Sequence, residues 1–140
     1  MIRRISSGVR KELAVAHWPA QPESLVPGVG ARTRVLDVGC GTGLHTRVLA
    51  QGSPARFVAV DNHPPFVEEL NRQARAVGLA GRLEARVGDM RQLDFPPGSF
   101  DLVWSEGAIY VMGFETGLRE WRRLLAPGGH MAVTEVCWTR

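Results

Sequence analysis

The sequence predicts a doubly wound α/β domain built on a mostly parallel sheet, and three observations support this. Apolar runs alternate with helix-like segments along most of the chain. The first run, residues 34–38, is apolar enough for a strand buried on both faces. It ends in a glycine turn, residues 39–43, directly before a helix-like segment. Strands that alternate with helices form parallel sheets with right-handed crossovers.

The first 33 residues are predicted to precede the core as a helix and a linker. A serine pair can cap a helix that runs to about His17, and Pro19 ends it. Residues 19–31 are rich in proline and glycine, which is typical of a linker. The core is then expected to occupy residues 34–140 as one domain.

Within that core, strands and helices are expected in alternation. Each predicted helix ends near a glycine or a proline, because these residues terminate helices. The expected strands are 34–38, 56–60, 83–87, 100–104 and 131–137. The expected helices are 44–50, 64–77 and 115–125.

The helix over residues 64–77 has the clearest pattern. Its two prolines suit a first turn, where no backbone N–H is needed. Glu68 and Arg72 have the spacing of an i,i+4 ion pair. The predicted buried stripe is Phe66, Leu70, Ala74 and Val77.

The chain stops soon after the fifth predicted strand, at Arg140. This would leave an apolar strand at the sheet edge without a covering helix, which folded proteins normally avoid. Either the protein is truncated after the fifth strand, or a second copy covers the edge in a homodimer. Truncation is the favoured interpretation.

Composition favours an ordinary globular protein, with 44% hydrophobic and 22% charged residues. The net charge of +3 comes mostly from scattered arginines, which argues against a continuous nucleic-acid surface. No apolar stretch approaches the ~20 residues that span a bilayer, so no membrane partner is expected. The basic N-terminus has no apolar signal-peptide core, so the cytoplasm is the expected location.

Metal-binding spacing is absent from the sequence. The two cysteines, Cys40 and Cys137, are far apart, and no two of the four histidines have the spacing of a zinc site. We therefore expect no metal.

Acidic residues follow three of the predicted strands, at the edge where such sheets bind ligands. Asp61 ends the second strand, Asp89 follows the third and Glu106 follows the fourth. Three acids around a glycine-lined crevice suit a ligand with hydroxyls and a cationic part. Asp61 lies 20 positions after Gly41, the usual spacing of an acid that binds both ribose hydroxyls of a nucleoside.

The glycine spacing distinguishes two nucleoside classes. Dinucleotide sites have the pattern G-x-G-x-x-G and place a pyrophosphate at the helix N-terminus. This chain has G-x-G-x-G, preceded by Asp37. An acid two residues before the turn is unfavourable beside a pyrophosphate but favourable beside an ammonium group.

Taken together, these motifs resemble the class I S-adenosylmethionine-dependent methyltransferases, especially their small-molecule branch. The resemblance extends from Arg34 to Trp138, and the motifs occur in the family's order. They are VLDVGCGTG (35–43), VAVDNHP (58–64), VGDM (87–90), FDLVWSEGAIY (100–110) and LLAPGGHMAVTE (124–135). The resemblance implies a Rossmann-like methyltransferase fold and S-adenosylmethionine as cofactor.

The resemblance also implies roles for individual residues. The glycine turn would surround the methionine portion and the ribose, through Gly39, Cys40, Gly41, Thr42 and Gly43. Asp37 would hold the amino group, often through water, and Ser105 would lie near the sulfonium. The nucleoside would be bound by Asp61 (ribose), Asn62 and Asp89 (adenine) and Met90 (packing on the ring). The acceptor would face Glu106, Ile109 and Tyr110.

Several of these residues have structural alternatives. Asp37 could cap the turn, Asp61 the next helix, and Asp89 could be a turn residue. Met90 could belong to the core, and Glu106 and Tyr110 could simply begin a loop.

The predicted reaction is direct in-line transfer of a methyl group to a small-molecule acceptor. Alignment of the reactants can account for ~7–11 kcal/mol of a barrier, so no dedicated nucleophile is needed. The catalytic residues are not identified, and the candidates for a general base are His17, Glu106 and Tyr110. Two alternatives stay open: a non-catalytic fragment that binds S-adenosylmethionine or S-adenosylhomocysteine, and an NAD-binding oxidoreductase domain.

Overall fold

A computed structural model describes residues 28–134, which form a five-stranded sheet with all neighbouring strands parallel. The strands are β1 (Arg34–Val38), β2 (Arg56–Asp61), β3 (Leu83–Val87), β4 (Phe100–Glu106) and β5 (Leu125–Thr134). The helices are α1 (Leu44–Gly52), α2 (Pro64–Ala76) and α3 (Phe114–Trp121). The predicted helix that ends near His17 lies outside the described residues.

The strand order, β3-β2-β1-β4-β5, confirms the doubly wound fold. The chain moves outward from β1 through β2 to β3 and then returns to place β4 on the other side of β1. This reversal makes a switch point between β1 and β4. In open parallel sheets, ligands bind beyond the carboxyl ends of the strands at such a point.

Each face of the sheet has its own hydrophobic core. On one face, α1 and α2 pack against the sheet, with Leu49 and Leu70 among the buried residues. On the other face, Trp121 of α3 and Ile109 pack with residues of β1 and β4. Trp104 of β4 belongs to the first core and is 2% exposed.

The predicted stripe of α2 was wrong at both ends. Leu70 and Ala74 are buried, but Val67 is the third buried position, while Phe66 and Val77 are 39% and 47% exposed. The helix meets the sheet over its middle turns, so the end positions of the stripe turn toward solvent. The predicted ion pair was also wrong, because Arg72 pairs with Glu69, at 2.6 Å, instead of Glu68.

The last helix and strand have different bounds from those predicted. The helix α3 ends at Trp121, a 3-10 turn follows over Arg122–Leu124, and β5 begins at Leu125. Leu125 pairs with Phe100 of β4, and the register then shifts before Leu102 meets His130. The Pro-Gly-Gly segment that predicted a break is therefore an irregularity inside β5, where strand pairing overrides local sequence preference.

The edge strand β3 is covered by a side chain of α2. The register with β2 directs the backbone N–H and C=O of Ala85 away from the sheet. Asn71 binds both groups: its Oδ1 accepts from Ala85 N, and its Nδ2 donates to Ala85 O, each at 2.9 Å. This part of the edge is thereby satisfied within the chain.

Candidate functional site

The glycine turn after β1 contains three glycines with positive φ: Gly39 at 74°, Gly41 at 57° and Gly43 at 78°. Two of them are packed against protein. A Cβ on Gly39 would lie 2.4 Å from Ala108 Cβ, and one on Gly43 would lie 2.3 Å from Leu70 Cδ1. By contrast, nothing lies within 4 Å of a Cβ on Gly41. The open side of the turn is therefore at its middle glycine.

Hydrogen bonds to β2 hold the turn. The backbone N–H groups of Gly39 and Cys40 both donate to Val60 O, at 2.8 and 3.1 Å. Gly41 N donates to Asp61 Oδ2 at 2.9 Å. The conformation of the turn thus depends on the neighbouring strand and on one carboxylate.

That carboxylate connects three elements. Asp61 ends β2, its Oδ2 binds the turn, and its Oδ1 accepts from His63 N, at 2.9 Å, just before α2. Asp61 is half-buried. Each carboxylate oxygen can accept a second hydrogen bond, so Asp61 keeps capacity for two ligand hydroxyls. The structural alternative and the ligand role are compatible at this residue.

A small cleft beside Asp61 contains the other predicted nucleoside-binding residues. Asp61, Asn62, Asp89 and Met90 all line it. Asp89 Oδ1 accepts from Arg91 N at 2.8 Å, which makes Asp89 a turn residue as well. The backbone of Met90 is fixed from α3, because Trp121 Nε1 donates to Met90 O at 2.9 Å.

Asp37 lies beneath the turn. It is 3% exposed, and Thr46 of α1 donates its hydroxyl to Asp37 Oδ2 at 2.6 Å. Burial raises the pKa of Asp37 to about 7, and the nearby carboxylates Glu106 and Asp61 contribute to the rise. Asp37 therefore joins β1 to α1, and its predicted contact with a ligand amino group, through water, stays a prediction.

The end of β4 brings two predicted residues close to the turn. Ser105 is buried and donates its hydroxyl to Val38 O at 2.9 Å. Glu106 Oε2 lies 3.1 Å from His45 Nδ1, without the alignment of a hydrogen bond. Burial raises the pKa of Glu106, and the His45 charge opposes that rise.

The residues predicted to face an acceptor differ in their exposure. Tyr110 is 65% exposed, in a 3-10 turn over Ile109–Val111. The prediction for Ile109 was wrong: it is fully buried, and a Cβ on Gly117 would lie 2.6 Å from its side chain. The third base candidate, His17, lies outside the described residues.

The other two residues of the glycine turn are Cys40 and Thr42. Burial raises the pKa of the Cys40 thiol, and the Asp37 and Asp61 carboxylates raise it further. The thiol is therefore protonated at neutral pH and is no nucleophile. Thr42 is exposed.

Sequence reasoning missed two residues that shape this site, His45 and Thr46. Both follow the glycine turn in the first turn of α1. Their position after G-x-G-x-G was a usable signal, since side chains there lie next to the switch point. Their partners come from β4 and β1, and local sequence does not reveal such pairings.

Residues 28–134 contain no group of three or more His, Cys, Asp and Glu side chains placed to hold a metal ion. None of their helices is long and apolar enough to cross a membrane.

The strand order and the glycine turn at the switch point define the class of this protein, a Rossmann-like α/β domain. Residues 35–129 match the family described as "Methyltransferase domain". The chain belongs to this family, the class I S-adenosylmethionine-dependent methyltransferases, and S-adenosylmethionine is its cofactor.

Individual relatives support the assignment. The chain is 35% identical over 109 residues to the sterol 24-C-methyltransferase erg6 of Aspergillus fumigatus, an alignment that covers 77% of this chain and 29% of the relative. It is 35% identical over 104 residues to a probable chloroplastic tocopherol O-methyltransferase of Oryza sativa subsp. japonica, covering 74% and 29%. The chain thus spans less than a third of the length of these relatives.

Solved structures share the fold. A geranyl diphosphate methyltransferase in complex with S-adenosylmethionine superposes with a TM-score of 0.73 at 25% identity, over 78% of this chain and 44% of that one. The [4+2]-cyclase SpnF also gives a TM-score of 0.73, at 28% identity, over 81% and 42%. That protein is named as a cyclase, so the same fold is found in proteins named for other chemistry.

Proposed function

We propose that this chain binds S-adenosylmethionine at the glycine turn and transfers its methyl group to a small-molecule acceptor by in-line displacement. One observation carries the proposal: the Asp61 carboxylate is bonded to Gly41 N, and Gly41 is the glycine of the turn with open space beside it. A carboxylate for ribose hydroxyls and an unobstructed backbone for the methionine portion are therefore adjacent.

The donor set fits this cofactor. The turn residues Gly39–Gly43 would line the methionine portion, and Asp61 would accept the ribose hydroxyls. Asn62, Asp89 and Met90 line the neighbouring cleft, where an adenine ring would lie. In its ionised form, the buried Asp37 adds negative charge beneath the turn, which favours a cationic ligand over a pyrophosphate.

When bound, S-adenosylmethionine supplies a methyl group on a positively charged sulfur. The chain's own contribution would be alignment and exclusion of water, since no activated nucleophile lies at the described part of the site. Glu106, Tyr110 and His17 stay predictions as bases for an acceptor proton. Of these, Glu106 has its pKa raised by burial, as a general base near neutral pH requires.

An apolar acceptor is the best-supported class. The relatives are named for sterols and tocopherol, and a structural neighbour is named for geranyl diphosphate. On this chain, Tyr110 and Val111 expose 65% and 45% of their surface beside the turn. Exposed apolar side chains next to a polar crevice suit an acceptor with a hydrocarbon body.

Cofactor binding without turnover stays a second alternative. An NAD-binding oxidoreductase is the third alternative, and the buried Asp37 beneath the turn argues against it. Location in the cytoplasm and a homodimer through the edge of β5 stay predictions.

Calorimetry with S-adenosylhomocysteine and NAD, followed by a methyl-release assay with apolar acceptors, tests these alternatives. Binding of S-adenosylhomocysteine with methyl release supports the proposal. Binding without release on any acceptor supports the binding module. Tighter binding of NAD than of S-adenosylhomocysteine contradicts both.

A further inference from the structure

The side chain of Arg91 joins two loops that follow strands distant from each other in the sheet. Arg91 follows β3, and its Nη2 donates to Val111 O, in the 3-10 turn after β4, at 3.0 Å. In the strand order, β2 and β1 lie between β3 and β4. With about 4.8 Å between neighbouring strands, the ends of β3 and β4 are roughly 14 Å apart. The contact therefore bridges the ends of the two middle strands, which carry Asp61 and the glycine turn.

This bond forms part of the small cleft proposed for the adenine. Arg91 and Val111 both line the cleft, together with Asp61, Asn62 and Asp89. The volume of the cleft is about 30 Å³, close to the share of one molecule in liquid water. A purine is a fused bicyclic ring and is much larger than a water molecule. An adenine can therefore lie within the cleft only if one of its walls moves.

Two walls of the cleft are held firmly. Gly39 belongs to the glycine turn, and its N–H donates to Val60 O of the neighbouring strand at 2.8 Å. Met90 O accepts from the indole N–H of Trp121, a side chain that is 1% exposed. Buried or strand-to-strand bonds of this kind do not open readily, because opening them leaves polar groups without partners.

The wall formed by Val111 is held less firmly. Val111 is 45% exposed, and the Arg91 side chain that binds its carbonyl is 55% exposed. Water can replace an exposed hydrogen bond of this kind at little cost. The buried Ile109 fixes the beginning of the turn, and Gly113, with a φ of 88°, follows it as a position where the backbone can pivot. The movable part of the cleft is therefore Val111 and its neighbour Tyr110.

Arg91 also borders a second cavity that can receive its side chain. This cavity, of about 490 Å³, lies between the loop after β3 and the end of α3. Two carboxylates, those of Asp94 and Glu120, line it together with Arg91. The other arginine of the lining, Arg123, is bonded to Phe95 O at 2.8 Å. A guanidinium released from Val111 O would thus keep carboxylates within its surroundings, which lowers the cost of release.

We propose that Arg91 is a positioning residue that links cofactor binding to the acceptor side of the site. While Arg91 holds Val111, the 3-10 turn stands against the adenine cleft. An adenine that enters the cleft displaces this bond, and Val111 and Tyr110 move with it. These two exposed side chains, proposed above to meet an apolar acceptor, then take the position set by the bound cofactor. The inference rests on the proposed function, because it takes this cleft as the adenine site.

The first test measures cofactor affinity, and the expected sign is unusual for a residue that lines a site. Arg91→Met keeps the aliphatic part of the side chain and removes its donors. S-adenosylhomocysteine is expected to bind this variant about threefold more tightly in calorimetry, because no bond has to be broken on entry. Arg91→Lys keeps a donor and should lie between the two proteins. Arg72→Met, the matched control, removes an exposed arginine that pairs with Glu69 and should leave affinity unchanged.

The second test follows the turn itself. Tyr110 is the only tyrosine of the chain, so a protein labelled with fluorotyrosine gives one fluorine NMR resonance, from the residue next to Val111. Saturating S-adenosylhomocysteine is expected to displace this resonance. 5′-Methylthioadenosine, which has the same adenine but no amino-acid end, should displace it equally. In Arg91→Met, the resonance should start nearer to the liganded position, and its displacement should fall by about half or more.

The outcomes separate this inference from the proposed function. A resonance that stays in place when the unsubstituted chain is saturated with S-adenosylhomocysteine would overturn the inference. Equal or weaker affinity in Arg91→Met would overturn it as well, since a residue with a merely structural role gives no gain when it is removed. Both results leave cofactor binding by the unsubstituted chain intact. If that chain binds neither ligand, the proposed function fails and this inference fails with it.

Discussion

The glycine turn after β1 and the 3-10 turn after β4 are neighbours at the carboxyl edge of the sheet, yet they are stabilised differently. The glycine turn is bonded to another strand, through Val60 O and the Asp61 carboxylate. The backbone bonds of the 3-10 turn are three residues apart, such as Val111 N to Ala108 O, and one side chain from outside the turn, Arg91, also donates to Val111 O. Its Tyr110 side chain is largely exposed. We refer to these regions as the cofactor turn (Gly39–Gly43) and the acceptor turn (Ile109–Val111).

The difference separates two kinds of specificity. Long-range bonds fix the cofactor turn in one conformation, which suits a ligand that all members of a family share. The backbone bonds within the acceptor turn are local, so the exposed Tyr110 side chain can vary without disturbing the sheet, whereas Ile109 is buried in the core. Substitutions in the cofactor turn should therefore change stability and cofactor affinity, whereas substitution of Tyr110 should change neither.

The largest effect is expected from Asp37→Asn, which should change the pH dependence of the free energy of unfolding. The pKa of Asp37 is raised from 3.8 to about 7, so the folded chain keeps this proton to a higher pH than the unfolded chain does. The free energy of unfolding of the unsubstituted protein therefore falls, relative to that of Asp37→Asn, as pH rises from about 4 to about 7. This relative fall amounts to roughly 4 kcal/mol. Urea unfolding of both proteins across this range measures it, and parallel pH profiles would contradict the assignment.

The second prediction compares the loss of stability when each of two glycines of the cofactor turn is replaced by alanine. Gly43→Ala places a Cβ 2.3 Å from the buried Leu70 side chain at a φ of 78°, so we expect a loss of about 3 kcal/mol in unfolding free energy. Gly41→Ala, the matched control, meets no atom within 4 Å and should cost about 1 kcal/mol, from its backbone conformation. Because Gly41 borders the open side, its substitution should weaken S-adenosylhomocysteine more than it weakens the fold. Equal stability losses would mean that the Leu70 contact is unimportant.

Asp61→Ala addresses the ribose contact directly. It removes the proposed acceptor of two hydroxyls and the acceptor of Gly41 N, so affinity for S-adenosylhomocysteine is expected to fall about 100-fold, or about 2.7 kcal/mol. Asp94→Ala removes an exposed acid with the same change in net charge and should leave affinity unchanged. Calorimetry of both variants makes the comparison. Retained affinity in Asp61→Ala would remove the basis of the proposed cofactor site.

The smallest effect is expected at the acceptor turn. Tyr110 is 65% exposed, so Tyr110→Ala should change the free energy of unfolding by less than about 0.5 kcal/mol and leave cofactor affinity unchanged. If Tyr110 contacts an acceptor, methyl transfer should fall in the same variant. Tyr110→Phe then separates the ring from the hydroxyl. A loss of cofactor affinity in Tyr110→Ala would show that the two turns are coupled.

The sequence predicted the sheet well where pattern and packing agree. The first four strands, the glycine turn and Asp61 at the end of β2 all lie where local pattern placed them. The errors occur where a residue distant in the sequence determines the local secondary structure. Leu125 was predicted to be helical, but it pairs with Phe100 of β4.

The candidate site follows the same rule. The strand ends were enough to bring Asp61 and Asp89 to one cleft, because both stand at the carboxyl ends of parallel strands. Asn62 and Met90, which line the same cleft, were expected there from the family resemblance. The direction of the Asp37 carboxylate could not be predicted, since it depends on the Thr46 hydroxyl across the turn. The His45–Glu106 contact could not be predicted from the sequence either. Its two residues belong to α1 and β4, which are distant in the chain and come together only in the folded structure.

The amide of Asn71 has a consequence for how this protein behaves in a crowded solution. An uncovered edge strand offers its main chain to other molecules and so invites filament growth. Because Asn71 occupies both outward groups of Ala85, the β3 side of the sheet is a poor template for such growth. A single side chain on a helix thereby gives this side of the domain a measure of protection against self-assembly.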